Sequence, residues 1–233
     1  MSEKNVILIT GTRKGIGKYL AQYYSDNNYQ VIGCSRGDLD YELDNYQHFC
    51  LDICNEKDVK RMFNQIRKAY GRLDNLINNA GIASMNHSLL TTIDTVQKVL
   101  NTNVLGTFLF CREAAKLMQI NKYGRIINFA SVATPLKLEG EAIYASSKAA
   151  VINLTTILAK EFANMGITVN ALGPTPVKTD LIKSIPENKL NKLISNQAIK
   201  RYGEFDDIIN VINFFIKPKS DFITGQTIFL GGL

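Results

Sequence analysis

Val6-Ile7-Leu8-Ile9-Thr10-Gly11-Thr12-Arg13-Lys14-Gly15-Ile16-Gly17 sets a short apolar run directly against a turn with glycines spaced G-x-x-x-G-x-G. A run of this length bounded by turn residues reads as a buried strand, and the helical pattern that follows covers residues 15–27. Glycines at a strand-to-helix turn let backbone approach a pyrophosphate, and the helix N-terminus there offers uncapped N–H groups and a positive dipole end. The spacing is not G-x-G-x-x-G, and a tight turn without a ligand is the competing reading of the same residues.

Outward from this unit, apolar segments and helical periodicities alternate without a linker. Strands are expected over residues 30–34, 47–52, 73–78, 125–130, 168–172 and 226–230. Helices are expected over 55–70, 91–121 with a break near 103–106, 141–164 and 204–216. Such alternation reads as βαβ units with right-handed crossovers. The expected fold is therefore α/β, a single doubly wound Rossmann domain over residues 1–233, with a mostly parallel six- or seven-stranded sheet and helices on both faces. Residues 173–202, with Pro174, Pro176 and Pro186, form a looser segment.

Composition narrows the function classes. Of 233 residues, 45% are hydrophobic and 21% charged, which is ordinary for a globular protein and excludes disordered or collagen-like chains. The run at 6–10 is too short for a secretory h-region and nowhere do 18 apolar residues run together, so a cytoplasmic protein without membrane association is expected. Cys34, Cys50, Cys54 and Cys111 have no CxxC spacing, and His48, Cys50 and Cys54 lack a fourth ligand nearby, so no metal site is expected. The net charge of +6 would suit a polyanion, but the cations are scattered and no nucleic-acid partner is expected.

The glycine turn, Asn78-Asn79-Ala80-Gly81 after the fourth strand, Ser131, and Tyr144-Ala145-Ser146-Ser147-Lys148 together resemble the short-chain dehydrogenase/reductase family in its single-domain form. The resemblance runs from Thr10 to Gly232, with the motifs in family order. It implies a nicotinamide cofactor held by Gly11, Arg13, Lys14, Gly15, Ile16 and Gly17. It places Asp52 and Ile53 at the adenine, Asn79, Ala80 and Gly81 at the adenosine ribose, and Pro174, Val177 and Thr179 near the carboxamide. For Asn79, bracing of the sheet edge is the alternative.

The second strand ends in Ser35-Arg36, with Lys14 before the second glycine. An acidic residue at that strand end accepts from a ribose hydroxyl, whereas cations pair with the extra phosphate of NADP. NADP(H) is the expected cofactor, and Asp38 and Asp40 are the residues that would favour NAD instead.

At the chemical end, Tyr144 and Lys148 at i and i+4 share one helix face. Hydride transfer to a carbonyl leaves an oxygen that must gain a proton, and a phenol of ordinary pKa near 10 exchanges protons poorly at neutral pH. A neighbouring ammonium lowers that pKa, so Lys148 is expected to activate Tyr144, and by resemblance also to hold the nicotinamide ribose. Ser131 would orient the substrate oxygen. Asn103 stands where the family places a helix-interrupting asparagine that holds a water linked to the lysine; a plain polar helix break is the other reading.

Two departures from the family pattern stand out: Thr175 where glycine usually follows the proline, and Leu230 where aspartate is common. The expected activity is NADP(H)-dependent interconversion of a ketone and a secondary alcohol, foremost reduction of a 3-oxoacyl thioester. A sugar-derived or other small ketone, or a catalytically silent nucleotide-binding protein, are the alternatives. A homotetramer is expected by resemblance and because residues 149–159 carry no charge, leaving a second helix face in want of a partner. The lid over residues 173–202 carries Lys178, Lys183, Lys189, Lys192, Lys200 and Arg201 against Asp180 and Glu187. That excess either steers an anionic substrate or is simply solvated.

Overall fold

The computed structural model describes residues 4–182 and 187–232; Lys183 and Pro186 of the lysine-rich segment lie outside the described residues. Among the described residues there are seven strands: β1 Val6–Thr10, β2 Gln30–Ser35, β3 Tyr46–Cys50, β4 Asn75–Asn78, β5 Gly124–Phe129, β6 Ile167–Gly173 and β7 Thr227–Phe229. They form one sheet in the order β3-β2-β1-β4-β5-β6-β7, and every pairing is parallel. Every residue of β1, β4, β5 and β6 is buried. Covered on both faces, these strands therefore read as near-continuous apolar runs rather than as alternation.

The helices are α1 Gly15–Asp26, α2 Glu56–Tyr70, α3 Ile93–Leu100, α4 Gly106–Met118, α5 Ala133–Leu136, α6 Ala142–Phe162, α7 Glu187–Ser195 and α8 Phe205–Ile216. Residues of α2, α4 and α6 close one core against the sheet, and α1 and α8 close the other. In α2, Val59, Met62, Phe63 and Ile66 are the buried stripe, at the three- and four-residue spacing of one helix face. Asn55 caps its start through Lys57 and Asp58 N–H, and Gly71 ends it at φ 65°. The order of strands reverses between β1 and β4, and the crevice above their carboxyl ends is where doubly wound sheets bind ligands.

The expected break near residues 103–106 is not a break. Asn101–Leu105 is one π-helical stretch between α3 and α4, so the helix continues and only its turn widens. Beyond the expected elements, the sheet gains α5 immediately after Ser131, and the loose segment contains α7.

Helix α6 with its terminal turn, Ala142–Met165, contains an 18-residue window of mean hydropathy 1.3 and is long and apolar enough to cross a membrane by length and composition. It packs on β5 and β6 and carries Tyr144 and Lys148. Its other side leaves Ala149, Asn153 and Ile157 exposed, a bare neutral face matched on α4 by exposed Phe108.

Candidate active site

The turn after β1 is shaped by glycine geometry. Gly11 sits at φ 77° and Gly15 at φ 59°, backbone conformations that side chains beyond glycine rarely adopt. Residue Gly17 is buried, and a Cβ there would collide with the Gly11 carbonyl. The third glycine therefore packs α1 under the loop and does not face the cleft. Lys14, just ahead of α1, makes no side-chain cap, which leaves the first amides of the helix open to an anion.

Around this turn runs a cleft of about 530 Å³ lined by Arg13, Lys14, Ser35, Arg36, Asp52 and Thr179 among others. Gly11, Gly15, Ile16, Ile53, Asn79, Ala80 and Gly81 of the expected set line it too, joined by Cys34, Leu51, Ile82, Ala83, Thr102 and Asp180. The latter six carry no motif, so only spatial placement reveals them. Pro174 and Val177 do not line the cleft. Val177 is buried in the core beneath it and pairs with Gly203, and the Pro174 carbonyl accepts from Val132 N–H at 3.3 Å, tying that loop to the one carrying Ser131.

Asn79 does what its alternative reading expects. Its amide donates to the carbonyls of Thr10 at 2.9 Å and Gly11 at 3.4 Å, while Ala80 N–H donates to Thr10 Oγ1 at 2.9 Å. These bonds lash the end of β4 to the glycine turn. At the far end of β2, the two acids that could favour a ribose hydroxyl are engaged elsewhere. Asp40 pairs with Lys18 at 3.0 Å, and Asp38 accepts from Cys50 Sγ at 3.2 Å. Arg13 and Arg36 are exposed at the cleft, and Lys14 reaches Asp180 across it at 3.4 Å.

Ser131, Tyr144 and Lys148 converge where β5 meets α6. The Ser131 hydroxyl lies close enough to the Tyr144 phenol to pull its pKa down, and Ser131 Oγ accepts from Ala133 N–H at 3.2 Å as α5 begins. Lys148 is buried and donates to the Phe129 carbonyl at 2.7 Å. Burial pushes its pKa down to about 8. Gly81 is the hinge between cleft and chemistry, since a Cβ on it would meet Asn103 Oδ1 at 3.2 Å and Lys148 Nζ at 3.3 Å.

One expectation changes. The Tyr144 phenol is not lowered: burial raises its pKa, the Ser131 hydroxyl lowers it, and the nearby Glu141 carboxylate raises it again. Desolvation of the phenolate is the largest of these effects, and Lys148 is not among the groups that shift it. The side chain of Asn103 ties Ile82 to α6. Its Oδ1 accepts from Ile82 N–H at 2.9 Å, and its Nδ2 donates to the Ile82 carbonyl and Ser147 Oγ, each at 2.9 Å. The asparagine thus clamps the cleft wall to α6, and Ser147, which in turn donates to the Tyr144 carbonyl at 2.7 Å, is a supporting residue that the motif alone did not single out.

Glu141 is likewise new. It is buried three residues before Tyr144, one carboxylate oxygen has no hydrogen-bond partner among the described residues, and burial raises its pKa against the opposing pull of Lys189 on α7. Thr175 does not narrow the cleft; a Cβ on Gly203 would meet its methyl at 2.8 Å, and the side chain is buried against that glycine. Leu230 packs on the α1/α8 core. Of the lid cations, Arg201 is spent on Asp207 through contacts of 2.7 and 2.8 Å.

Residues 11–232 match the profile of a family described as enoyl-(acyl carrier protein) reductase. A 3-oxoacyl-[acyl-carrier-protein] reductase of Rickettsia felis is 34% identical over 228 residues, spanning 97% of this chain and 94% of its own length. Among solved structures, ElxO with NADP bound superposes with a TM-score of 0.89 at 34% identity, covering 98% of this chain and 97% of ElxO. A 4-hydroxyisoleucine dehydrogenase complexed with NADH superposes at 0.88 and 30% identity, covering 98% of each chain.

Proposed function

The chain belongs to the short-chain dehydrogenase/reductase family and is an oxidoreductase, and we propose that it uses NADP(H) to reduce the 3-keto group of a 3-oxoacyl thioester to a secondary alcohol. The observation that carries this reading is the continuity from a cation-lined cleft, across Gly81, to the Ser131–Tyr144 pair.

The cleft fits a dinucleotide. Open α1 amides and Lys14 suit the pyrophosphate, and Asp52 with Ile53 border the adenine. Ser35, Arg36 and Arg13 suit a 2'-phosphate, each charge-assisted contact being worth roughly 1.5–3 kcal/mol. Binding of NADP by the superposable ElxO supports the same assignment. When bound there, the reduced nicotinamide supplies hydride to the substrate's carbonyl carbon.

Tyr144 hands its phenolic proton to the carbonyl oxygen as that oxygen becomes an alkoxide. Ser131 donates to the same oxygen, which holds the carbonyl against Tyr144. Lys148 stabilises the phenolate left behind; with a pKa near 8 it also exchanges protons readily at neutral pH. Asn103 and Ser147 keep the Lys148 helix and the Ile82 wall at fixed spacing. Residues 173–202 serve as the substrate lid of a single domain. The protein works as a cytoplasmic homotetramer, a reading supported by four free thiols and the bare α6 face.

A second reading, a small hydroxylated or amino-substituted ketone, is favoured by Glu141. A buried carboxylate oxygen without a partner near Tyr144 suits a substrate hydroxyl or ammonium, which a plain acyl chain lacks. The test is a panel of acetoacetyl thioesters and small hydroxyketones followed by NADPH absorbance. Turnover of thioesters upholds the first reading, and turnover of hydroxyketones alone replaces it with the second.

A further inference from the structure

Behind Ser35 lies a line of hydrogen bonds whose direction is fixed by its end. The Ser35 hydroxyl donates its one proton to the Gly37 carbonyl at 2.7 Å. His48 Nε2 lies 3.1 Å from Ser35 Oγ and 3.3 Å from that same carbonyl. With the serine proton already used, Nε2 must be the donor to both oxygens, so His48 carries its proton on Nε2. Its bare Nδ1 therefore accepts from the Tyr46 hydroxyl at 2.9 Å. Tyr46, having given its proton away, accepts from Thr12 Oγ1 at 2.8 Å.

The line runs from the glycine turn, through β3, to the end of β2. It needs Gly33 in β2, where any side chain would strike the Tyr46 hydroxyl and would meet Thr12 Oγ1 at 2.6 Å. A neutral ring is required throughout, and half-burial lowers the His48 pKa in keeping with that.

We propose that His48 is a positioning residue that selects NADPH over NADH by freeing the Ser35 hydroxyl to donate to the 2'-phosphate. The inference rests on the reading that Ser35 and Arg36 hold that phosphate. A phosphate oxygen has no proton to give, so Ser35 can bond to it only by turning its own proton away from Gly37. The Gly37 carbonyl would then lose its serine donor, and without a second one it would be left as a costly orphaned acceptor. His48 Nε2–H is already aimed at that carbonyl and replaces the lost bond. A ribose 2'-hydroxyl makes no such demand. It can donate to Ser35 Oγ while Ser35 stays on Gly37, so NADH binding does not call on the histidine.

Fluorescence titration of the full chain with NADPH and with NADH tests this without any substrate. His48→Phe keeps a ring of similar size and removes both nitrogens; it is expected to weaken NADPH binding about tenfold, the equivalent of one lost hydrogen bond to a charged or orphaned partner. Affinity for NADH should stay within about twofold, and His48→Gln, whose amide can donate to Gly37, should restore most of the NADPH affinity. Equal weakening of both cofactors, or no weakening of NADPH, overturns the proposal, as does failure of the glutamine to rescue. Should His48→Phe not fold, Ser35→Ala reads the same ratio, since it removes the hydroxyl that the histidine frees; an unchanged ratio there overturns the proposal. Arg36→Ala separates the two layers. If it leaves the NADPH-to-NADH ratio intact, the phosphate reading itself fails; if it lowers the ratio while His48→Phe does not, only the relay fails.

Discussion

The Lys148 ammonium donates to the Phe129 main-chain carbonyl at 2.7 Å, so the end of β5 and the second turn of α6 are joined beside the tyrosine. A buried cation held by one carbonyl is poorly compensated, which is why its pKa falls to about 8. The folded lysine binds its proton less tightly than the unfolded one. Below about pH 8 both states are protonated and the full penalty of burying the charge is present; as pH rises from there toward the ordinary lysine value the penalty fades. Lys148→Met should therefore raise stability at pH 7 by about 1–2 kcal/mol, roughly 3 from the shifted proton affinity less about 1 for the lost bond. Thermal melts should show that gain shrinking as pH rises above about 8 toward the ordinary lysine value, while activity is lost. A destabilised variant at pH 7 would mean the ammonium is better compensated than this geometry shows.

Tyr144→Phe keeps the ring and removes the proton donor. Turnover should drop by at least about 10²-fold, the usual contribution of general acid–base catalysis. NADPH affinity, read by fluorescence, should be unaltered. Retention of more than about a tenth of the wild-type rate at saturating substrate would remove Tyr144 from its role.

Glu141→Gln takes away a negative charge that raises the Tyr144 pKa. The phenol should then ionise at lower pH, and the basic limb of the kcat profile should move toward lower pH. Because burial also raises the Glu141 pKa, its carboxylate weakens the fold once ionised, so the glutamine variant should gain stability at neutral pH and lose that gain in acid. A profile that stays put would place Glu141 too far from the phenol to matter.

Thr175→Val keeps the methyl that packs on Gly203 and deletes a buried hydroxyl oxygen that has no partner among the described residues. A gain of about 1 kcal/mol in denaturant unfolding is expected, with kcat/KM unchanged. Altered kcat/KM would show that this side chain reaches the substrate after all.

The fold was legible because each strand's run and each helix's stripe is a local property, visible in Val6–Thr10 or in Val59, Met62, Phe63 and Ile66 without knowing any neighbour. The same holds for the candidate site's skeleton: the glycine turn and the Tyr144–Lys148 spacing lie within single elements, and Ser131 entered through the resemblance. Sequence thus determined by itself the βαβ alternation, the helix face shared by tyrosine and lysine, and the cationic end of β2. Tertiary structure alone decided that Asn79 braces the glycine turn, that Thr175 turns inward, that Glu141 lies beside Tyr144 and that His48 stands behind Ser35. Those facts depend on residues far apart in the chain, Thr12 and Tyr46 at a separation of 34 and Asn79 and Thr10 at 69, and periodicity reports only which face of an element is buried, never what it is buried against. The Tyr144 phenol marks the same boundary, because the residue types foretold an opposing charge, whereas in the fold burial is the largest cause of its shift and raises the pKa.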